Sequence, residues 1–183
     1  MTTLYHRALD DLARVFARID EAAVDRAVAA IAEADRIALY GVGREGLQIR
    51  GLAMRLFHLG RRAAMVGDMT TPPVGPGDLL VVSAGPGAFS TVLALMGVAR
   101  DAGARTLVVT AQADGEAARR ADLVLPIPAQ TMADDRGASV SVLPMGSLFE
   151  GAEYILFEVM ILKLRDRLGI APEAMRANHT NLE

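Results

Sequence analysis

Two glycine turns carry most of the chemistry open to this chain. The first, Gly41-Val42-Gly43-Arg44-Glu45-Gly46, follows a short apolar run, Ile37-Ala38-Leu39-Tyr40, and opens an amphipathic segment. Strand, glycine turn and helix form the opening unit of a parallel α/β sheet, and the free amides at such a helix start attract anions. Gly41, Gly43 and Gly46 fit the G-x-G-x-x-G dinucleotide pattern, and Asp68, 22 residues past Gly46, falls where a ribose-binding acid would stand. The second turn, Ser83-Ala84-Gly85-Pro86-Gly87-Ala88, follows another apolar run, so the amides of Gly85, Gly87 and the next helix start offer a second place for an anion. A second glycine turn after the third strand, with no catalytic domain beyond the sheet, argues against a nicotinamide domain.

The elements that must position these turns are legible as periodicity. Leu4, Ala8, Leu12, Val15 and Phe16 share a helical face, and Asp20 is placed to cap a second helix through Ala22–Ala34. These two helices are extra to a minimal doubly wound domain, and they read equally as a lid over the sheet or as a dimerisation arm. Residues 47–59 form a helix apolar over most of its surface, with His58 serving its C-terminus. Strands follow at 63–67, 79–83, 106–110 and 122–126, with helices near 88–102 and 117–120. Residues 127–143 lack periodicity, and long loops of that kind are often functional. A long helix over 145–168 stops at Gly169, and a tail runs to 183. On that last helix Glu150 is an acid near the first turn, while Glu153 and Glu158 read as structural pairs for Lys163 and the arginines. The pattern predicts one domain, a three-layer α-β-α sandwich around a five-stranded, mostly parallel sheet.

Composition narrows the function classes. With 52% hydrophobic but only 4% aromatic residues, the core must be built from Ala, Leu and Val, as where helices pack on a sheet. Cysteine is absent, which removes disulfides, zinc clusters and thiol nucleophiles, and fits a cytoplasmic chain. The first residues alternate charged with apolar side chains, unlike a signal peptide or a membrane span. A net charge of −3 with mixed signs gives no footprint for nucleic acid. A small molecule or another copy of the chain is the expected partner.

Paired glycine turns on neighbouring strands resemble the sugar isomerase (SIS) fold, whose members bind phosphosugars between those loops. Within it the chain is most similar to the 6-phospho-3-hexuloisomerases. The carrying segments are Gly41–Leu47, Ala53–Gly60, Thr71-Pro72, Pro144-Met145-Gly146-Ser147-Leu148-Phe149-Glu150 and the ending Asn178-His179-Thr180-Asn181-Leu182-Glu183. They span nearly the whole chain in order. The resemblance implies a flavodoxin-like sheet, a dimer of dimers, and interconversion of D-arabino-hex-3-ulose 6-phosphate and fructose 6-phosphate through an enediol. No metal and no other cofactor is implied.

The resemblance also implies roles: Glu150 as catalytic base, His179 as a second catalytic group reaching a neighbouring subunit's site, and Arg44 as a substrate-positioning cation. Gly43, Glu45, Ser83, Gly85, Gly87 and Ala88 fall on the phosphate-binding loops. Here the chain departs from the family. Glu45 stands where the relatives have serine, and Ser83–Ala88 replaces a serine-rich S-G-S-G-E-T. A phosphate dianion beside Glu45 meets about 1 kcal/mol of repulsion per charge pair even in water. The departures open a second expectation, a non-catalytic or repurposed SIS protein that binds a carbohydrate derivative.

Overall fold

The computed structural model describes residues 2–137 and 140–182. Five apolar runs form one parallel sheet: β1 (Ile37–Gly41), β2 (Ala63–Met65), β3 (Leu79–Ser83), β4 (Arg105–Thr110) and β5 (Leu123–Pro126), ordered β2-β1-β3-β4-β5. All pairings are parallel, where the sequence promised only mostly parallel ones. The helices are α1 (Leu4–Phe16), α2 (Glu21–Glu33), α3 (Gly43–His58), α4 (Ser90–Asp101), α5 (Glu116–Arg120), α6 (Ser147–Leu168) and α7 (Pro172–Ala177).

Strand alternation divides the core into two. Ile37, Leu39, Leu79, Val81, Leu107 and Val109 face α2, α3 and α6, while Ala38, Leu80, Val82 and Val108 face α4 and α5. By the same parity Ser83, two residues past Val81, turns its hydroxyl to the α3 and α6 side. Asp20 caps α2 by accepting from the Ala22 amide at 3.0 Å, and the small buried face Ala23, Ala27 and Ala30 lets α2 sit close to its neighbours. That makes α2 a full part of one layer rather than a detachable arm. On α1, Asp11 accepts from the Ser141 hydroxyl at 2.6 Å and the Val142 amide at 2.8 Å, so this helix pins the end of the long loop.

Two helix starts lie further along than the periodicity suggested. Before α6, Met145 and Gly146 have φ of 54° and 78°, outside the helical region, so the helix begins at Ser147. Before α4, Phe89 is extended and the helix begins at Ser90. The α3 face is also less covered than expected, since Leu47, Met54 and Phe57 are exposed. Among the described residues no helix is long and apolar enough to cross a membrane.

Candidate active site

The chain leaves β1 towards β2 on one side and returns to β3 on the other, so the carboxyl ends of β1 and β3 flank the switch point where open α/β sheets bind ligands. Gly41 and Ser83 are paired there in register. Gly41 and Gly46 are required by packing: a Cβ on Gly46 would lie 2.5 Å from the Gly41 carbonyl oxygen. Their role is close approach of α3 to β1, which satisfies the glycine pattern without a dinucleotide. Asp68, the expected ribose acid, is a half-exposed residue 3.8 Å from Arg50 and is not among the residues that line the cavity described below.

Between the two turns stands Glu45, in the first turn of α3 and only 6% exposed. Its Oε2 accepts from the Ser83 hydroxyl at 2.6 Å and from the Gly85 amide at 2.9 Å. Burial raises its pKa, opposed by those two hydrogen bonds and by Arg44. Two polar donors of the second loop thus converge on one carboxylate of the first.

Arg44, the preceding residue, reaches across to the start of α6. Its Nε donates to Glu150 Oε1 at 3.2 Å, and its guanidinium also holds the Met145 carbonyl. Met145 is a non-glycine residue at positive φ, a conformation that persists only where its surroundings hold it. Gly146 follows because a Cβ there would lie 2.9 Å from the Met132 amide. Glu150 therefore has one oxygen tied to Arg44, and its buried Oε2 has no hydrogen-bond partner among the described residues. Burial raises the Glu150 pKa; Arg44 pulls it down and Glu45 pushes it up. A cavity of about 380 Å³ opens over this group, lined by Gly43, Arg44, Glu45, Pro86, Phe89, Thr131, Met132, Met145, Phe149 and Glu150 among others.

Glu153, one turn beyond Glu150, was expected to pair with Lys163 or an arginine. It is instead 0% exposed, and neither carboxylate oxygen has a hydrogen-bond partner among the described residues. Lys163 pairs with Glu21 and Asp25, and Arg55 with Glu158. Burial pushes the Glu153 pKa well up, the Ser83 hydroxyl opposes that, and Glu45 and Glu150 add to it. This burial favours the neutral acid. The signal was in the sequence: Phe149, Ala152, Leu156, Met160 and Leu164 mark the buried stripe of α6, and Glu153 falls inside it.

Other expected site residues lie apart. The Gly87 amide is engaged by the Ala84 carbonyl, and a Cβ on Gly87 would lie 3.0 Å from the Gln112 side chain, so Gly87 serves the loop's own packing. Phe89 rather than Ala88 lines the cavity. The His179 ring stands 5.1 Å from that of His58, at the far end of α3, and Asn178 donates to the His58 carbonyl at 2.9 Å. His58 lies thirteen positions beyond Glu45 on the same helix, about 20 Å at 1.5 Å per residue. His179 and Glu150 do not meet within one copy. The last residue of that terminal segment, Glu183, lies outside the described residues.

Residues 30–149 match the SIS domain family. This chain belongs to that family. The 3-hexulose-6-phosphate isomerase of Bacillus subtilis is 31% identical over 96% of this chain and 95% of its own. The protein of that name from Methylomonas aminofaciens is 37% identical over 87% of each. A solved structure from Methanococcus jannaschii, from which a molecular function of 3-hexulose-6-phosphate isomerase was inferred, superposes with a TM-score of 0.83. It is 29% identical and is covered over 97% of both chains. The SIS assignment accounts for the fold and for paired loops at the β1 and β3 ends. Glu45 and Glu153 are features that this chain's own geometry makes visible.

Proposed function

We propose that the protein is a sugar-phosphate isomerase that interconverts a 3-hexulose 6-phosphate and fructose 6-phosphate. The observation that carries this is Glu150, with one oxygen tethered by Arg44 and the other unpartnered beside the cavity. A base of raised pKa in a partly dry site suits abstraction of a proton next to a carbonyl. Glu150 takes the proton from C2 of the 3-ketose, the electron pair forms the C2–C3 double bond, and the C3 oxygen becomes an enediol oxygen. Transfer of the O2 proton and return of the carbon-bound proton to C3 leave the carbonyl at C2. Arg44 stabilises the negative charge that develops on the enediol oxygens. This route uses no metal or redox cofactor. The similarity to enzymes named for this reaction supports it.

Turnover of 3-hexulose 6-phosphate by the purified protein tests the reading, with Glu150→Gln as control. The variant should bind ligand and lose about two to four powers of ten in kcat, the worth of a general base. Retention of more than a tenth of the rate moves the base elsewhere.

One observation favours a second reading, a repurposed carbohydrate-binding protein: Glu45 already occupies the Ser83 and Gly85 donors of the second loop. Thermal shifts with fructose 6-phosphate and with fructose separate the two. Preference for the unphosphorylated sugar supports repurposing.

We also propose self-association as a dimer of dimers. The α3 and α6 faces expose Leu47, Met54, Phe57, Tyr154 and Leu162, and α1 separately exposes Leu4, Tyr5 and Leu9. Two apolar faces suit two kinds of contact between copies. Light scattering on the eluted protein reports the mass.

A further inference from the structure

The second loop presents two of its donors to a carboxylate of the first. Ser83 Oγ and the Gly85 amide both bond to the same Glu45 oxygen. A serine hydroxyl has one proton to donate and an amide has one. A phosphate that seeks these donors must therefore take them from Glu45. The surroundings offer little to offset two anions side by side. From α3 there is Arg44, already divided between Glu150 and the Met145 carbonyl. From α6 there are Glu150 and the fully buried Glu153, whose oxygens have no partner. From the start of α4 come Pro86 and Phe89, which carry no charge.

We propose that Glu45 is a specificity-determining residue, and that a sugar phosphate enters this site together with a proton taken up by the Glu45 carboxylate. Protonation releases the Ser83 hydroxyl and the Gly85 amide to the phosphate and removes the like charge. The proton comes from solvent on binding and returns to it on release. Burial already raises the affinity of Glu45 for that proton. This inference rests on the phosphosugar reading of the site.

Calorimetry of fructose 6-phosphate binding at pH 7.5, in two buffers of different ionisation heat, measures the uptake directly. The wild-type protein should take up about one proton per site, as linkage requires when a group ionised in the free state is protonated in the bound one. Glu45→Gln keeps an oxygen to accept from Ser83 and Gly85, so it should fold; Glu45→Ser serves as a second variant. Both should bind with no buffer-dependent heat and at least tenfold more tightly at pH 8. Binding by wild type without proton uptake, or uptake that persists in both variants, overturns the inference alone. No binding by any of the three overturns the phosphosugar reading and the inference with it.

Discussion

Glu45 and Gly85 fit only as a pair. The Glu45 carboxylate accepts from the Gly85 amide at 2.9 Å through Oε2, and its Oε1 lies 3.0 Å from where a Cβ on residue 85 would stand. The same Cβ would be 2.9 Å from the Phe149 ring. A serine at 85 is therefore incompatible with Glu45 unless one of them moves. The two departures from the relatives' loops are thus one change in physical terms.

Gly85→Ser alone should destabilise the protein, because both its new neighbours are buried and fixed. Glu45→Ser removes one clash and the negative charge, leaving only the Phe149 ring to shift. The double change should tighten hexulose-phosphate binding by at least tenfold, about 1.4 kcal/mol. Titration of the wild type, both single variants and the double variant checks this. Equal affinity of wild type and double variant would show that backbone amides and Arg44 already suffice.

The Glu153 environment makes a prediction about stability. Its folded pKa lies well above the 4.5 of an unburied glutamate. The folded chain therefore keeps a proton that the unfolded chain releases from about pH 4.5 upward. Where the folded state binds more protons, stability falls as pH rises, by at most about tenfold in the unfolding constant per pH unit. Glu153→Gln carries no such proton and is close to the neutral acid in shape. Its stability advantage over wild type, read from urea unfolding, should be small at pH 5 and grow towards pH 8. A gap that does not change with pH would mean that Glu153 is ionised or solvated.

The sheet and the two loops were legible because buried parallel strands are continuous apolar runs punctuated by glycine. What escaped was the identity of partners across elements. Glu153 looked like an ion-pair partner because Lys163 and several arginines are near in sequence, yet Lys163 faces α2, where Glu21 and Asp25 hold it. Gly87 was read as an anion donor because it lies in a glycine turn, but its φ of 96° directs the loop back onto Gln112 and Gly115. Asp68 had the right spacing for a ribose acid and the wrong place in space. Spacing along the chain predicts which face an element buries; it does not say what waits on the other side.

Arg44 opposes the effect of burial on Glu150, because a guanidinium beside it favours the carboxylate form. Removing it by Arg44→Gln should raise the Glu150 pKa further, so the acidic limb of the kcat profile moves to higher pH. Loss of the charged hydrogen bond should also lower kcat by about ten- to a hundredfold at neutral pH. The pH–rate profile of the variant checks both. A limb that stays in place would show that another group sets it.

His179 cannot serve the Glu150 of its own chain if the tail keeps the position seen here, against His58 at the far end of α3. A catalytic role for it then requires the site of a neighbouring copy. Complementation decides this. Glu150→Gln subunits keep His179, and His179→Ala subunits keep Glu150, so each homo-oligomer should be impaired. If the site is shared, unfolding and refolding the two together creates mixed contacts in which one subunit's Glu150 meets the other's His179, and activity returns. With random pairing, about half of the dimers are mixed and each holds one intact site, so about a quarter of the wild-type activity is expected. If His179 served its own chain, every site would lack one group and mixing would restore nothing. Full activity of His179→Ala alone would remove the tail from catalysis and leave it as a brace on α3.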